Sequence, residues 1–297
     1  MPHSGSIGAK AESASDSRLR RIELTLVPEQ RFPVPFSDGY SVYSALLGAL
    51  HNVDEVVSAQ LHDSSLGSLH NSGLIGPFGT SDRRHHKMVM PNHEYHMTLG
   101  VVDPADAEIF QALVEAFVLN GDSIELTNGA LQVQQFESEN ASHKEILEGT
   151  ASTDVSGVTV DFRTPACIEE ADEVTTMFPY RVAVFQSLLG KWNRTCPDEL
   201  ELELDRETLL TQVIEKPDAR TYDTHSVLVN RVTNEEGENR NIFRQGFTGT
   251  CEYAFKGASE AVKNAVLGLA VFGEYSGVGS AVARGCGSVT LAVKINE

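Results

Sequence analysis

The sequence predicts an α+β chain of two tandem ferredoxin-like domains, each an RRM-like βαββαβ unit. Three observations carry this prediction. Segments with period-two apolar spacing alternate with segments of helical spacing in the order strand, helix, strands, helix, strand. The same plan occurs a second time, without a residue-level repeat. The 297 residues, 41% of them hydrophobic, suffice for two ordinary cores.

The first round begins at Arg20, after Ser-, Ala- and Gly-rich residues 1–18 that read as a disordered leader. Ile22, Leu24 and Leu26 alternate as a half-buried strand, and the Pro-rich stretch Arg31 to Phe36 breaks it. Val42, Ala45, Leu46, Ala49 and Leu50 give a helix, and Val53, Val56, Val57 and Leu61 a second short one ending near His62. Residues 66–90 read as loop and hairpin, and His93 to Val102 as a strand. Asp103 as N-cap, Pro104 at the first helical position and the stripe from Ile109 to Val118 give a strong helix, stopped by Asn120-Gly121. Ser123 to Phe136 supplies one more strand or hairpin, completing residues 19–147 as the N-terminal domain, with the polar stretch 137–156 as its connection onward.

The second round, residues 148–297, has strands at Val158 to Phe162, Leu200 to Leu204, Val227 to Val229, Phe247 to Phe255 and Val289 to Val293. A helix begins at Pro179, with a core face of Val182, Phe185, Leu188, Leu189 and Trp192. Another runs from Ser259 to Phe272 with Gly273 as its expected C-cap.

Composition bounds the function. No apolar run reaches the roughly 18–20 residues that cross a bilayer, and the first residues lack a signal-peptide core, so a cytoplasmic location is expected. Cys167, Cys196, Cys251 and Cys286 form no C-x-x-C pair and read as small buried residues rather than a zinc site or disulfide framework. The net charge of -19 argues against nucleic acid if bulk charge decides. An acid-rich, Lys-poor surface suits a salty cytoplasm, where a Debye length of about 3 Å at molar salt screens repulsion and leaves short-range contacts intact.

The most specific signal is Gly277-Val-Gly-Ser-Ala-Val-Ala-Arg-Gly-Cys-Gly287, a G-x-G-x5-G-x-G arrangement between the last helix and the last strand. Glycines permit positive φ and close approach of a ligand to backbone N–H groups, so the loop can cradle phosphates, with Arg284 as its charge. The alternative is a tight loop shaped only for packing. A dinucleotide fingerprint fits less well still, because that motif follows a strand and opens a helix, whereas this loop follows a helix and enters a strand.

This loop and its flanking elements resemble the C-terminal end of the CRISPR-associated endoribonucleases of the sixth Cas family, in the RAMP superfamily, which process precursor crRNA. The segment Gly157 to Thr195 is similar to the opening of that family's second domain. Pro35 to Asp63 (PFSDGYSVYSALLGALHNVDEVVSAQLHD) is similar to its first helix, short second helix and Leu-His pair. The resemblance runs from about Arg20 onward and is weakest between Gly67 and Ser156. It implies cofactor-free, metal-independent cleavage of CRISPR repeat RNA, in which the RNA's own 2′-hydroxyl attacks and leaves 2′,3′-cyclic phosphate and 5′-hydroxyl ends. A histidine suits the proton transfers, and the resemblance places it at His62.

Where some relatives carry a tyrosine on the first helix this chain has Leu47, and where some carry a lysine after the histidine it has Asp63 and serines. His51 is the leading substitute for a second catalytic group, and the expected alternative to His62. Gly277, Gly279, Arg284, Gly285, Gly287, Lys256, Lys191 and Arg194 are the expected RNA-binding residues, with Arg181 a further member. His85 and His86, beside Arg83, Arg84 and Lys87, form another basic group that RNA could touch. The rival readings are a non-catalytic RNA-binding RAMP subunit of an interference complex, which would bring other Cas proteins as partners, and an acidic metabolic enzyme.

Overall fold

A computed structural model describes residues 18–63, 69–121, 123–151, 155–170, 174–233 and 237–295. The expected leader lies outside them except for Arg18. Among the described residues no helix is long and apolar enough to cross a membrane.

In chain order the first half contains β1 (Arg18–Pro28), β2 (Phe32–Pro35), α1 (Gly39–Val53), α2 (Glu55–Asp63), β3 (Leu69–Asn71), β4 (Gly79–Thr80), β5 (His86–Val89), β6 (Tyr95–Val101), α3 (Ala107–Val114), β7 (Ile124–Leu126) and β8 (Gly129–Ser142). β1 turns Ile22, Leu24 and Leu26 inward, as period-two spacing requires. The antiparallel sheet has the order β3-β6-β1-β8-β7. Its first four members reproduce the split-βαβ order, with β1 central and β3 to its left beyond β6. Val42, Leu46 and Leu50 of α1 and Ile109 and Leu113 of α3 cover one face.

The Pro-rich stretch does not simply break the chain. β2 lies at the edge of a small three-stranded sheet, β2-β5-β4, with Pro33 opposite Met88 and Pro35 opposite His86. An edge strand tolerates missing N–H donors. Pro104 opens a 3-10 turn, and α3 begins at Ala107 and continues as a π-turn over Glu115–Leu119.

The second half follows with α4 (His143–Ala151), β9 (Val155–Ala166), β10 (Ile168–Glu169), β11 (Thr175–Thr176), α5 (Arg181–Thr195), α6 (Arg206–Gln212), β12 (Val213–Pro217), β13 (Asp223–Thr233), β14 (Asn239–Phe255), α7 (Glu260–Ser276) and β15 (Val289–Ile295). The order β12-β14-β9-β15 repeats the plan of the first sheet, and β13 pairs with the N-terminal part of β14 beyond it. Both halves are therefore ferredoxin-like.

The polar stretch read as a connection is the end of β8, paired to β1 as far as Ser142 opposite Arg18, followed by α4. α4 inserts His143 into the second core, where its ring lies 4.6 Å from Trp192 and 5.6 Å from Phe272. Leu200–Leu204 is not a strand; a 3-10 turn leads into α6, whose N-cap Asp205 accepts the Thr208 N–H at 2.8 Å. α7 runs four residues past the expected stop, and Gly277, with φ 63°, follows its last residue in place of Gly273.

Candidate active site and nucleic-acid interface

Asp54 separates α1 from α2 and caps the second helix, accepting the N–H groups of Val56 and Val57 at 2.8 and 3.2 Å. α2 then folds back on α1, with the Ser58 hydroxyl donating to the Leu47 carbonyl at 3.1 Å. His62 belongs to the last turn of α2; its side chain lies outside the described residues. His51 is exposed on the last turn of α1.

The glycine-rich loop joins α7 to β15. All four of its glycines have positive φ, as does Ala281, around a 3-10 turn over Val282–Arg284. Several of its amides are used internally. Val278 N–H donates to the Gly287 carbonyl at 2.8 Å, Ser280 N–H to Cys167 at 2.7 Å, Gly287 N–H to Pro165 at 2.9 Å, and Gly279 N–H to the Ser187 hydroxyl at 3.1 Å. These four N–H groups are not free to cradle a phosphate, because the loop is folded onto β9 and α5. A Cβ at Gly279 would stand 2.5 Å from the Cys167 carbonyl oxygen, and one at Gly285 2.5 Å from Gly39 Cα. The second contact crosses between the halves: the loop rests on the first residue of α1. Gly277 abuts His70, and Gly287 abuts Val278.

Two side chains fasten this junction. Asn71, fully buried at the end of β3, donates to the Gly39 carbonyl at 3.1 Å and the Ala283 carbonyl at 3.2 Å. The Arg284 guanidinium sits 3.6 Å from the centre of the Tyr43 ring and 5.6 Å from that of Tyr40, a cation-π geometry. Tyr40 and Tyr43, which the sequence leaves without a function, thereby position the loop's one cation.

The other expected RNA-binding residues divide. Lys191 directs its ammonium to the carbonyls of Ser276 and Gly277, at 3.2 and 2.8 Å, satisfying the C-terminus of α7. Burial, with Arg194 alongside, lowers its pKa to about 7. Arg194 is exposed and lines, with Lys191, Arg206, Gly279 and Ser280, a cavity of about 810 Å³ beside the loop. Lys256 precedes the N-terminus of α7, roughly 25 Å along a 17-residue helix from the loop. Arg181 pairs with Glu215 and donates to the Leu209 carbonyl. Lys87 is engaged by buried Asp38 at 2.9 Å and stacks on Phe78 at 3.8 Å. Among the described residues no cluster of three or more His, Cys, Asp or Glu could hold a metal ion.

A second concavity escaped the sequence. A cavity of about 1120 Å³ lies between β2, the start of α1, the β4–β5 hairpin and the β13–β14 hairpin. It brings Arg83, Arg84, His85 and His86 opposite Arg231 and Phe243. The available signal was Phe243 between Arg240 and Arg244, an exposed aromatic flanked by cations in a strand whose next residue inward is Ile242.

Two buried histidines make the junction and second core acid-sensitive. Desolvation lowers His70 to about 3, with Lys191 and Arg21 contributing, and lowers His143 to about 4. Both titrate near 6.5 in the unfolded chain, so below that pH the unfolded state binds more protons. Their contribution is complete above about pH 6.5 and is lost as pH falls toward 4, by up to about 1.4 kcal/mol per pH unit for each group. Urea titrations between these limits should show this loss, and His143→Gln should reduce the slope. An unchanged slope in the variant would remove His143 from the account.

Two ferredoxin-like halves thus meet at a glycine-rich loop that follows the last helix. Residues 160–289 match the family model of the CRISPR-associated endoribonuclease Cas6. That match lies in the second half of the chain. Solved structures agree in fold. Thermus thermophilus Cas6 is 16% identical, with 94% of this chain and 100% of that chain covered and a TM-score of 0.64. A Cas6 product complex is 18% identical, covering 93% and 100%, also at 0.64. A Cas6-related protein of Pyrococcus furiosus is 13% identical, covering 92% and 98%, at 0.59. No curated protein matches the chain in sequence.

Proposed function

We propose that this chain cleaves CRISPR repeat RNA at one phosphodiester by metal-independent attack of the RNA's own 2′-hydroxyl, and that His62 carries the proton transfer. The observation that carries this reading is the docking of the glycine-rich loop, with Arg284, on the N-terminal end of α1. α2 folds back along α1, so its last turn returns His62 toward the end where Arg284 lies. A histidine with an ordinary pKa near 6.5 can take the 2′-hydroxyl proton or protonate the departing 5′-oxygen. Arg284 would stabilise the charge that develops on the phosphorane oxygens. His51, at the far end of α1, is about 18 Å from Gly39 along the helix, which favours His62 over it.

Among solved Cas6 structures are a product complex and a substrate-mimic complex, and the family name supports RNA as substrate. Retention of the processed RNA for other Cas proteins belongs to the same proposal. The deciding experiment is incubation with a repeat RNA in EDTA, followed by analysis of the ends. A 2′,3′-cyclic phosphate with a 5′-hydroxyl is expected. Cleavage that stops in EDTA, or that leaves a 5′-phosphate, would overturn the mechanism.

A further inference from the structure

The loop between α7 and β15 carries a thiol among its glycines, and that thiol faces another. Cys286, between Gly285 and Gly287, places its Sγ 3.7 Å from the Sγ of Cys167, a residue 119 positions earlier that joins β9 to β10. Both side chains are fully buried. A disulfide needs about 2.05 Å between its sulfurs, so the pair stands about 1.7 Å from bonding distance. The chain on either side is already tied at this point. Ser280 N–H donates to the Cys167 carbonyl at 2.7 Å, and Gly287 N–H to the Pro165 carbonyl at 2.9 Å. The two backbones that carry the thiols are thereby held side by side by bonds in which the sulfurs take no part.

The surroundings distinguish the two thiols. With Val227 and Val229 they form a small cluster apart from both main cores, and half-buried Ile242 and Ala281 lie at its edge. The hydrogen bond from Cys286 lowers the pKa of Cys167 against the opposing effect of burial, and the Arg244 guanidinium, itself paired with Glu169, adds to the lowering. The same bond, together with burial, raises Cys286 well above the ordinary thiol value. A thiolate is the reactive form of cysteine, so Cys167 is the nucleophile and Cys286 the partner that brings a proton. The remaining cysteines are protected. Burial raises Cys196, with Glu201 adding to it, and pushes Cys251 up to about 12.

We propose that Cys167 and Cys286 are a reversible oxidation site, joined as a disulfide by hydrogen peroxide and parted again by a dithiol, and that the bridge clamps the glycine-rich loop onto the end of β9. The Cys167 sulfur attacks one peroxide oxygen and the O–O bond breaks. The departing hydroxide takes up the proton shed by the thiol and leaves as water, and Cys167 becomes a sulfenic acid. The Cys286 sulfur attacks it, the S–O bond breaks, and the hydroxyl leaves with the Cys286 proton as a second water. The two sulfurs together lose the two electrons that reduce the peroxide. Because Cys286 lies two residues beyond Arg284, the bridge keeps the guanidinium at Tyr43 when hydrogen bonds at the junction open. A cross-link over so long a segment also restricts the unfolded chain strongly. The inference does not depend on what the chain cleaves.

The test treats the full chain with hydrogen peroxide at neutral pH, alkylates it during unfolding and digests it without reductant. Two of the four thiols should be lost, and one peptide pair should join Cys167 to Cys286 and separate in dithiothreitol. The oxidised chain should melt roughly 5–15 °C higher, and amides of residues 277–287 should exchange more slowly. In Cys286→Ala, peroxide should give no rise in melting temperature, and Cys167 should stop as a sulfenic acid that dimedone traps. Cys196→Ala should respond as the wild type does. Oxidation of Cys196 or Cys251 that leaves Cys167 and Cys286 reduced overturns the site, as does a bridge that forms only after unfolding. A bridge that forms in the folded chain but leaves melting and loop exchange unchanged overturns the clamp.

Discussion

His62→Ala should abolish repeat cleavage while leaving repeat affinity within a few fold. A positioned proton-transfer group contributes on the order of a hundredfold or more in rate, whereas the groups expected to hold RNA, Arg284 foremost, are untouched. Single-turnover rates measured beside equilibrium binding separate the two effects. His51→Ala, at the far end of α1, should cut like the wild type. If His51→Ala loses activity and His62→Ala keeps it, the assignment moves to His51. An RNA with a 2′-deoxy sugar at the cut site should be bound and left whole; its cleavage would mean that water is the nucleophile.

Gly279→Val and Gly285→Val should lower the melting temperature and RNA affinity together. At φ 85° and 86° a β-branched residue adopts a sparsely populated conformation, at a cost of order 1–3 kcal/mol. Its Cβ would also meet the Cys167 carbonyl or Gly39 Cα at 2.5 Å, adding about 1–3 kcal/mol of overpacking. Against a total stability of about 5–15 kcal/mol, the sum predicts a fall of roughly 5–20 °C at about 2–4 °C per kcal/mol. The sequence predicts a loop whose backbone N–H groups can cradle phosphates, in which case binding would fail before folding. Because those amides are bonded within the protein, folding and binding should fail as one. Weakened affinity with unchanged melting would restore the open cradle.

The architecture was legible wherever periodicity reflected the faces of regular elements. Val158, Val160 and Phe162 point into the second core as their alternation requires. Misreadings arose where the backbone found unusual partners. Leu200, Leu202 and Leu204 alternate like a strand, yet this segment is held by side chains: Trp192 Nε1 donates to the Leu200 carbonyl at 2.9 Å, and Asn193 bonds both the N–H and carbonyl of Leu202. The end of β8 looked like a linker because Glu137 to Ser142 is polar on both faces, a pattern that hides a strand held mainly by its ladder to β1. At the candidate site, Gly279, Gly285 and Arg284 stood out by spacing. What the glycines press against, and what the arginine stacks upon, is decided by residues such as Gly39, Tyr43 and Asn71. No local pattern links them to the loop.

That distance along the chain has a consequence for biosynthesis. The Asn71 to Ala283 bond joins residues 212 apart, and at about 5–20 residues per second a ribosome takes roughly 10–40 s to make the intervening chain. The first half can fold in that interval. Its α1 terminus, however, waits without the loop that covers Gly39 and Tyr43. The arginine that stacks on Tyr43 is therefore the last part of the junction to arrive, and a nascent chain stopped before residue 277 would own a folded first half with the helix of His62 and none of the loop that covers its α1 terminus.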